Sequence, residues 1–330
     1  MLKHSILSIL FTSMLLLNSA VVSGEEKIGG PNSEAITIYS DGIRLAGNIW
    51  IPDNAAKGQK RPAVLMIHGW GGVKAHLNQA YAPQFASLGY VVLTFDYTGW
   101  GESEGVVVRT GPRPSSAQGA ETHQTYASEL REIRRIVNPL EQLDDIRAAF
   151  AYLATDPRVD SDRIAVWGTS LGGGLALATA IEFPQVRVLM SQVGAVNPQA
   201  GFVDLPDENP LSAKSMMVLR GMIARGQQPS FPDTATPGLQ GYPDWADYVR
   251  YNPYQGLETL TAATLIIDAA KEELFDIQQN GADLYQRLKD QVPVRYETIP
   301  GAHYDVYRDS GYNQALAWQS AWLKQHLPPE

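Results

Sequence analysis

Short stretches of this chain are apolar at nearly every position: Ala63 to Ile67, Tyr90 to Phe95, Ile164 to Trp167, Val186 to Ser191 and Thr264 to Ile267. Val292 to Ile299 continues the series with more alternation. Runs this short and continuous predict strands covered on both faces, as in a parallel sheet. Between them apolar residues return at helical spacing, over Tyr81 to Leu88, Leu140 to Ala154, Leu171 to Glu182, Ile277 to Leu288 and Ala315 to Leu327. Ahead of them, Ala35 to Tyr39 and Ile43 to Ile51 alternate around Ser40-Asp41-Gly42, which predicts a hairpin. An antiparallel start followed by strand–helix alternation predicts an α/β protein with a mostly parallel central sheet flanked by helices.

Two stretches interrupt the rhythm. Glu104 to Asn138 holds a Gly/Pro/Ser-rich piece followed by a charged one, Glu129 to Ile136, whose composition predicts a helix. Asn197 to Gly256 is rich in Pro, Gly, Asp, aromatics and Met, with a helix expected over Leu211 to Arg225. An insertion that long between two sheet strands reads as a lid or helical cap rather than a plain loop. At the start, Lys3 and His4 precede the apolar run Ile6 to Leu17 and the small residues Val22-Ser23-Gly24. That is the pattern of a cleavable secretory signal over residues 1–24, leaving 25–330 as one domain carrying the 197–256 insertion. The expected location is secreted or periplasmic. The run is shorter than the roughly 20 apolar residues of a spanning helix, and no later segment is longer, so no stable membrane span is expected after cleavage.

Composition removes several classes of function. There is no cysteine, hence no disulfide and no thiolate metal site. The formal net charge of −9 and the lack of a basic run disfavour a nucleic-acid partner. No H-E-x-x-H occurs, and Gly69-Trp70-Gly71-Gly72 and Gly99-Trp100-Gly101 do not complete a dinucleotide-binding G-x-G-x-x-G. Neither a metal nor a cofactor is expected.

The chemistry centres on Gly168-Thr169-Ser170-Leu171-Gly172, a G-x-S-x-G directly after one expected strand and opening the next helix. A serine at the tip of such a turn projects its hydroxyl clear of the backbone, and side chains at 168 and 172 would collide across it. Gly173 and Gly174 let the helix approach the sheet. Serine is a weak nucleophile without a base held by a third group. Of six histidines, His303 follows the last strand, at the C-terminal sheet edge where α/β folds gather their sites. The acid should follow the strand Thr264 to Ile267. Glu272 is the first choice, since a carboxylate in the turn Ala270-Lys271-Glu272-Glu273 reaches back to the histidine; Glu273 and Asp268 remain alternatives. His68-Gly69-Trp70-Gly71-Gly72 places a flexible turn where the backbone N–H groups of Trp70 and Leu171 would form an oxyanion hole. His68 is then expected to tie down the turn, and the Trp70 side chain to wall the acyl pocket.

These features resemble the α/β-hydrolase superfamily over the whole of the chain from the first hairpin to the last helix. Phe95-Asp96-Tyr97-Thr98-Gly99-Trp100-Gly101-Glu102-Ser103 resembles the superfamily's turn after its fourth strand. Asp156-Pro157-Arg158-Val159-Asp160 resembles the peptidase- and dienelactone-hydrolase-like branches. Gly301-Ala302-His303-Tyr304-Asp305 resembles bacterial hydrolases of the YcjY type and fungal polyketide transferases. The resemblance implies a Ser–acid–His triad beneath a cap, with one departure: the usual acid is Asp and the aligned residue is Glu272.

A serine hydrolase that cleaves carboxylic esters of small molecules through an acyl-enzyme is the function expected. Peptidase, thioesterase and acyltransferase share the triad, and a non-catalytic binding protein on this fold is the rival of another class. Met216, Met217 and Met222 of the insertion, with Phe202, Leu205, Leu219 and Phe231, supply an adaptable apolar surface for acyl or alkyl groups.

Overall fold

The expected hairpin forms from β1 (Ser33–Ser40) and β2 (Ile43–Trp50), in register from Ser33↔Trp50 to Ser40↔Ile43. The computed structural model describes residues 33–53, 58–112 and 125–329. The signal sequence expected over 1–24 lies outside them.

Next come β3 (Arg61–Ile67), the helices α1 (Lys74–Ala80) and α2 (Ala82–Ser87), and β4 (Val91–Phe95). The first interruption contains β5 (Val106–Arg109), β6 (Leu130–Ile133) and β7 (Ile136–Val137). Then follow α3 (Pro139–Thr155), β8 (Val159–Thr169), α4 (Leu171–Glu182) and β9 (Val186–Gln192). The long insertion carries α5 (Ala213–Ala224), β10 (Tyr242–Pro243) and α6 (Trp245–Tyr248). The chain closes with β11 (Ala263–Ala269), α7 (Gly281–Leu288), β12 (Val294–Ile299) and α8 (Asp309–His326).

The main sheet has eight strands in the order β1-β2-β4-β3-β8-β9-β11-β12, antiparallel at β1–β2 and β2–β4 and parallel beyond. Alternation along each strand sends successive side chains to opposite faces. In β3, Ala63, Leu65 and Ile67 join one core with Ile146, Phe150, Leu175 and Leu284 from α3, α4 and α7. Val64 and Met66 join the other, with Leu77, Phe85, Trp322 and Leu323 from α1, α2 and α8. Both faces are therefore dry, which is why the strands read as unbroken apolar runs. Asn138 starts α3 by accepting hydrogen bonds from the N–H groups of Leu140 and Glu141, with Pro139 in the first turn.

Two expectations are corrected. Glu129 to Ile136 is not helical: β6 pairs antiparallel with β5, from Val106↔Ile133 to Arg109↔Leu130. Cross-strand partners override the local preference of its charged residues. The β-branched run Val106-Val107-Val108 supplies one strand, while the Glu132 carboxylate accepts from Gly105 N–H at 2.7 Å. Arg134 then donates to the carbonyls of Ser103 and Gly101, each at 2.9 Å. The single helix expected over Ile277 to Leu288 breaks at Asn280, into a 3-10 turn (Ile277–Gln279) and α7. Asn280 leaves helical geometry because its side chain accepts from Asn197 N–H at 3.0 Å and donates to the Asp276 carbonyl at 3.0 Å.

The two interruptions form one structure. β10 pairs in parallel with β7, Tyr242↔Ile136 and Pro243↔Val137. Asn138 donates to Asp247 at 3.0 Å, and Trp100 donates its indole N–H to the Ile136 carbonyl at 2.8 Å. The insertion is thereby fastened to the sheet edge that carries the site. Among the described residues no helix is long and apolar enough to cross a membrane.

Candidate active site

The turn between β8 and α4 holds Ser170 at φ 56°, ψ −128°, a region disfavoured for residues other than glycine. The surrounding glycines make it possible. A Cβ at Gly168 would run into the Gly172 carbonyl, and one at Gly172 into the carbonyls of Ile67 and His68. At Gly173 a Cβ would lie 2.6 Å from Gly194 Cα, so the helix packs directly on the strand end, as expected. Ser170 N–H donates to the Gln192 carbonyl at 2.9 Å, while the Ser170 carbonyl accepts from Gly173 and Ala195. Leu171 is the first residue of α4, and an N–H there has no partner within its own helix.

His303 sits in a 3-10 turn, His303–Tyr307, directly after β12. Its Nδ1 is 2.8 Å from Glu272 Oε2, and both side chains are only 1% exposed. Its backbone N–H donates to Glu273 Oε2 at 2.9 Å. One glutamate thus faces the ring while its neighbour anchors the main chain. With Nδ1 taken by a carboxylate, Nε2 is the nitrogen left to exchange a proton. Edge-on contacts from Phe275 and Tyr304 hold the ring's plane. The elbow and the histidine turn meet where the hydroxyls of Thr169 and Tyr307 lie 2.6 Å apart.

Asp268, the remaining candidate acid, is fully buried within β11 and accepts from the Tyr296 hydroxyl at 3.1 Å. Burial, together with the nearby Glu272 charge, raises its pKa to about 7. Its carboxylate packs against Gly281, and the ring of His303 is met by Glu272 instead.

The turn after β3 presses against Ser170: a Cβ on Gly69 would lie 2.8 Å from Ser170 Cβ. His68 lies beneath it, its ring against Tyr97 at 4.3 Å, and burial lowers its pKa to about 4, so the ring is neutral at pH 7. The Asp96 carboxylate holds the far side of the turn by accepting from the N–H groups of Lys74 at 2.7 Å and Glu102 at 3.0 Å. Trp70, between these anchors, turns its indole toward the insertion. It packs on Trp245 and Tyr248 and donates to the Gln240 carbonyl at 2.8 Å.

Trp245 and Tyr248 are not marked by any local sequence pattern, and only the fold brings them to the site. The methionines separate. Met216 is buried, Met222 half-buried, and Met217 is 68% exposed on the outer side of α5. A cavity of about 470 Å³ lies within the insertion, lined by Leu219, Ile223, Phe231, Pro232, Asp244 and Trp245 among others. None of the three methionines lines it. Among the described residues no group of His, Asp and Glu is arranged to hold a metal.

Two protein-family models match the chain: the X-Pro dipeptidyl-peptidase (S15) family over residues 41–209 and the alpha/beta hydrolase fold over 139–308. The chain belongs to the α/β-hydrolase superfamily, and its class is that of a hydrolase. It is similar to the uncharacterized protein YcjY of Escherichia coli, 25% identical over 82% of this chain and 90% of that protein. It is also similar to the polyketide transferase claH of Penicillium crustosum, 23% identical over 90% of this chain and 98% of that one. The solved structure of Est1E from Butyrivibrio proteoclasticus with ferulic acid bound has the same fold, with a TM-score of 0.61 and 19% identity, covering 88% of this chain and 99% of that one.

Proposed function

We propose that the protein is a serine hydrolase that cleaves carboxylic esters of small molecules. Ser170 is the nucleophile, His303 the base and Glu272 the acid. The carrying observation is the buried 2.8 Å pair of His303 Nδ1 and Glu272 Oε2 beside a strained serine elbow. Ser170 Oγ attacks the ester carbonyl as His303 Nε2 takes its proton, and Glu272 stabilises the imidazolium. The backbone N–H groups of Trp70 and Leu171 hold the oxyanion. Collapse passes the proton to the leaving alcohol and leaves an acyl-Ser170, which water hydrolyses by the same steps. The ferulic acid bound to Est1E supports a small aromatic or acyl substrate. The Trp70–Trp245 contact supports the insertion as the element that sorts substrates; the insertion cavity shares Trp245 with that contact but is lined by none of Ser170, Glu272 and His303.

The S15 match over residues 41–209 favours a second reading, cleavage after an X-Pro dipeptide on the same residues. One panel separates them: short-chain aryl esters, thioesters and an X-Pro arylamide, each with and without chelator. Ester turnover that withstands chelator, together with a fluorophosphonate adduct on Ser170, is the expected result. Loss to chelator with recovery on adding zinc would overturn the mechanism, and exclusive arylamide turnover would move the substrate to peptides. From residues 1–24 we also propose export, which the N-terminal sequence of the mature chain checks.

A further inference from the structure

Beneath the elbow runs a chain of buried polar side chains that the acyl-transfer steps do not use. Thr169 Oγ1 and the Tyr307 hydroxyl are 2.6 Å apart. Gln192 Nε2 lies 3.3 Å from Thr169 Oγ1 and 3.1 Å from the Tyr81 hydroxyl, and Gln192 Oε1 accepts from Gln319 Nε2 at 2.7 Å. Gln192 and Gln319 are fully buried, and Thr169 and Tyr81 nearly so. Burial also pushes the Tyr307 hydroxyl pKa well up, so it stays protonated and available as a donor.

Glutamines are costly in a core unless partnered, and partnered networks fix one arrangement. This one joins the last residue of β8, the last residue of β9 and the last residue of the turn that begins with His303. Gln192 grips the elbow twice, since its backbone carbonyl also accepts Ser170 N–H. Elsewhere the elbow and the histidine turn belong to strands separated in the sheet by β9 and β11.

We propose that Thr169, Gln192 and Tyr307 are positioning residues that set the approach of His303 to Ser170. The inference rests on the reading of those two residues as base and nucleophile. A displacement of about 1 Å at reacting atoms costs about 10²-fold in rate, so a hydrogen-bonded tie of this kind has measurable leverage.

A set of variants tests this: Tyr307→Phe, Thr169→Val, Thr169→Ser and the double variant Tyr307→Phe with Thr169→Val, assayed on an aryl ester beside Ser170→Ala. Each melting temperature is recorded. Tyr307→Phe and Thr169→Val are expected to lower kcat by about 10- to 100-fold with KM within about twofold of wild type. The double variant should lose no more than Thr169→Val alone, because that substitution already removes the tie to Tyr307 along with the one to Gln192. Thr169→Ser keeps the hydroxyl and should recover kcat to within about threefold. The limb of the pH–kcat/KM profile that reports His303 should shift in both damaged variants and not in Thr169→Ser. Where one variant does not fold, the valine–serine contrast at Thr169 or the Tyr307→Phe kinetics decides alone. Near-wild-type kcat in the hydroxyl-less variants, or losses that follow melting temperature with KM and kcat moving together, would overturn the positioning role. Full activity in Ser170→Ala would overturn the underlying mechanism instead, so the two failures are distinguishable.

Discussion

Trp70 donates its indole N–H to the carbonyl of Gln240 at 2.8 Å, across 170 residues of sequence, tying the turn beside Ser170 to the insertion. The same ring packs on Trp245, which also lines the insertion cavity. Substrate preference should therefore follow Trp245 and Phe231 rather than the methionines as a group. Trp245→Ala is expected to raise KM for an aryl ester about tenfold, the size of one lost aromatic contact. Met217→Ser, on an outward-facing position, should leave chain-length preference unchanged. A profile altered by Met217→Ser and untouched by Trp245→Ala would show that the insertion sorts substrates through α5 instead.

The pair of glutamates at His303 makes a second expectation specific. Glu272→Gln keeps the shape but removes the charge facing Nδ1, and kcat should fall on the order of 10³-fold or more. Glu273→Gln still offers an oxygen to His303 N–H, so its loss should stay below about tenfold. Steady-state kinetics on the two variants decides the assignment. Equal losses, or a larger loss at Glu273, would reassign the acid.

Buried Asp268 gives the fold a pH dependence of definite sign. Its pKa is raised from the ordinary 3.8 to about 7, so the folded chain keeps a proton that the unfolded chain has already released. Stability from this group is thus lost as pH rises from about 4 to about 7. His68 acts oppositely: its pKa, lowered from 6.5 to about 4, adds stability as pH rises through that interval. Asp268→Asn removes only the first effect and keeps an acceptor for Tyr296. Its melting temperature relative to wild type should climb between about pH 4 and pH 7 and then level. A pH-independent difference between the two would count against the buried proton.

The elbow was legible because its glycines, at 168, 172, 173 and 174, stand together around the serine in sequence, even though the groups that require three of them come from the ends of β3 and β9 and the turns after them. The strands were legible because both sheet faces are covered. What the sequence withheld depends on distant partners. β6 looks helical by composition until Val106 to Arg109 pairs with it. Trp245 and Tyr248 gain their role only when β10 docks on β7. Glu272 and Glu273 are adjacent, and only the turn geometry decides which one meets the ring.

Ser170 itself carries the last expectation. Its backbone, at φ 56° and ψ −128°, lies where glycine is at ease and other residues are strained by about 1–3 kcal/mol. Under the proposed mechanism, stability is given up here for a serine held at the tip of a tight turn. Ser170→Ala removes the hydroxyl and keeps the strain; its turnover should fall more than about 10³-fold with little change in melting temperature. Ser170→Gly removes both. Glycine gives back roughly 0.5–1 kcal/mol through its looser unfolded chain, so a net gain of about 1 kcal/mol over the alanine variant is expected. In a domain of about 300 residues that corresponds to about 1–2 °C in melting temperature. Gly168→Ala, in contrast, drives a Cβ into the Gly172 carbonyl and should lose the folded protein. Calorimetry on the two Ser170 variants is the check. A glycine variant melting below the alanine variant would mean that the elbow holds no strain at its serine.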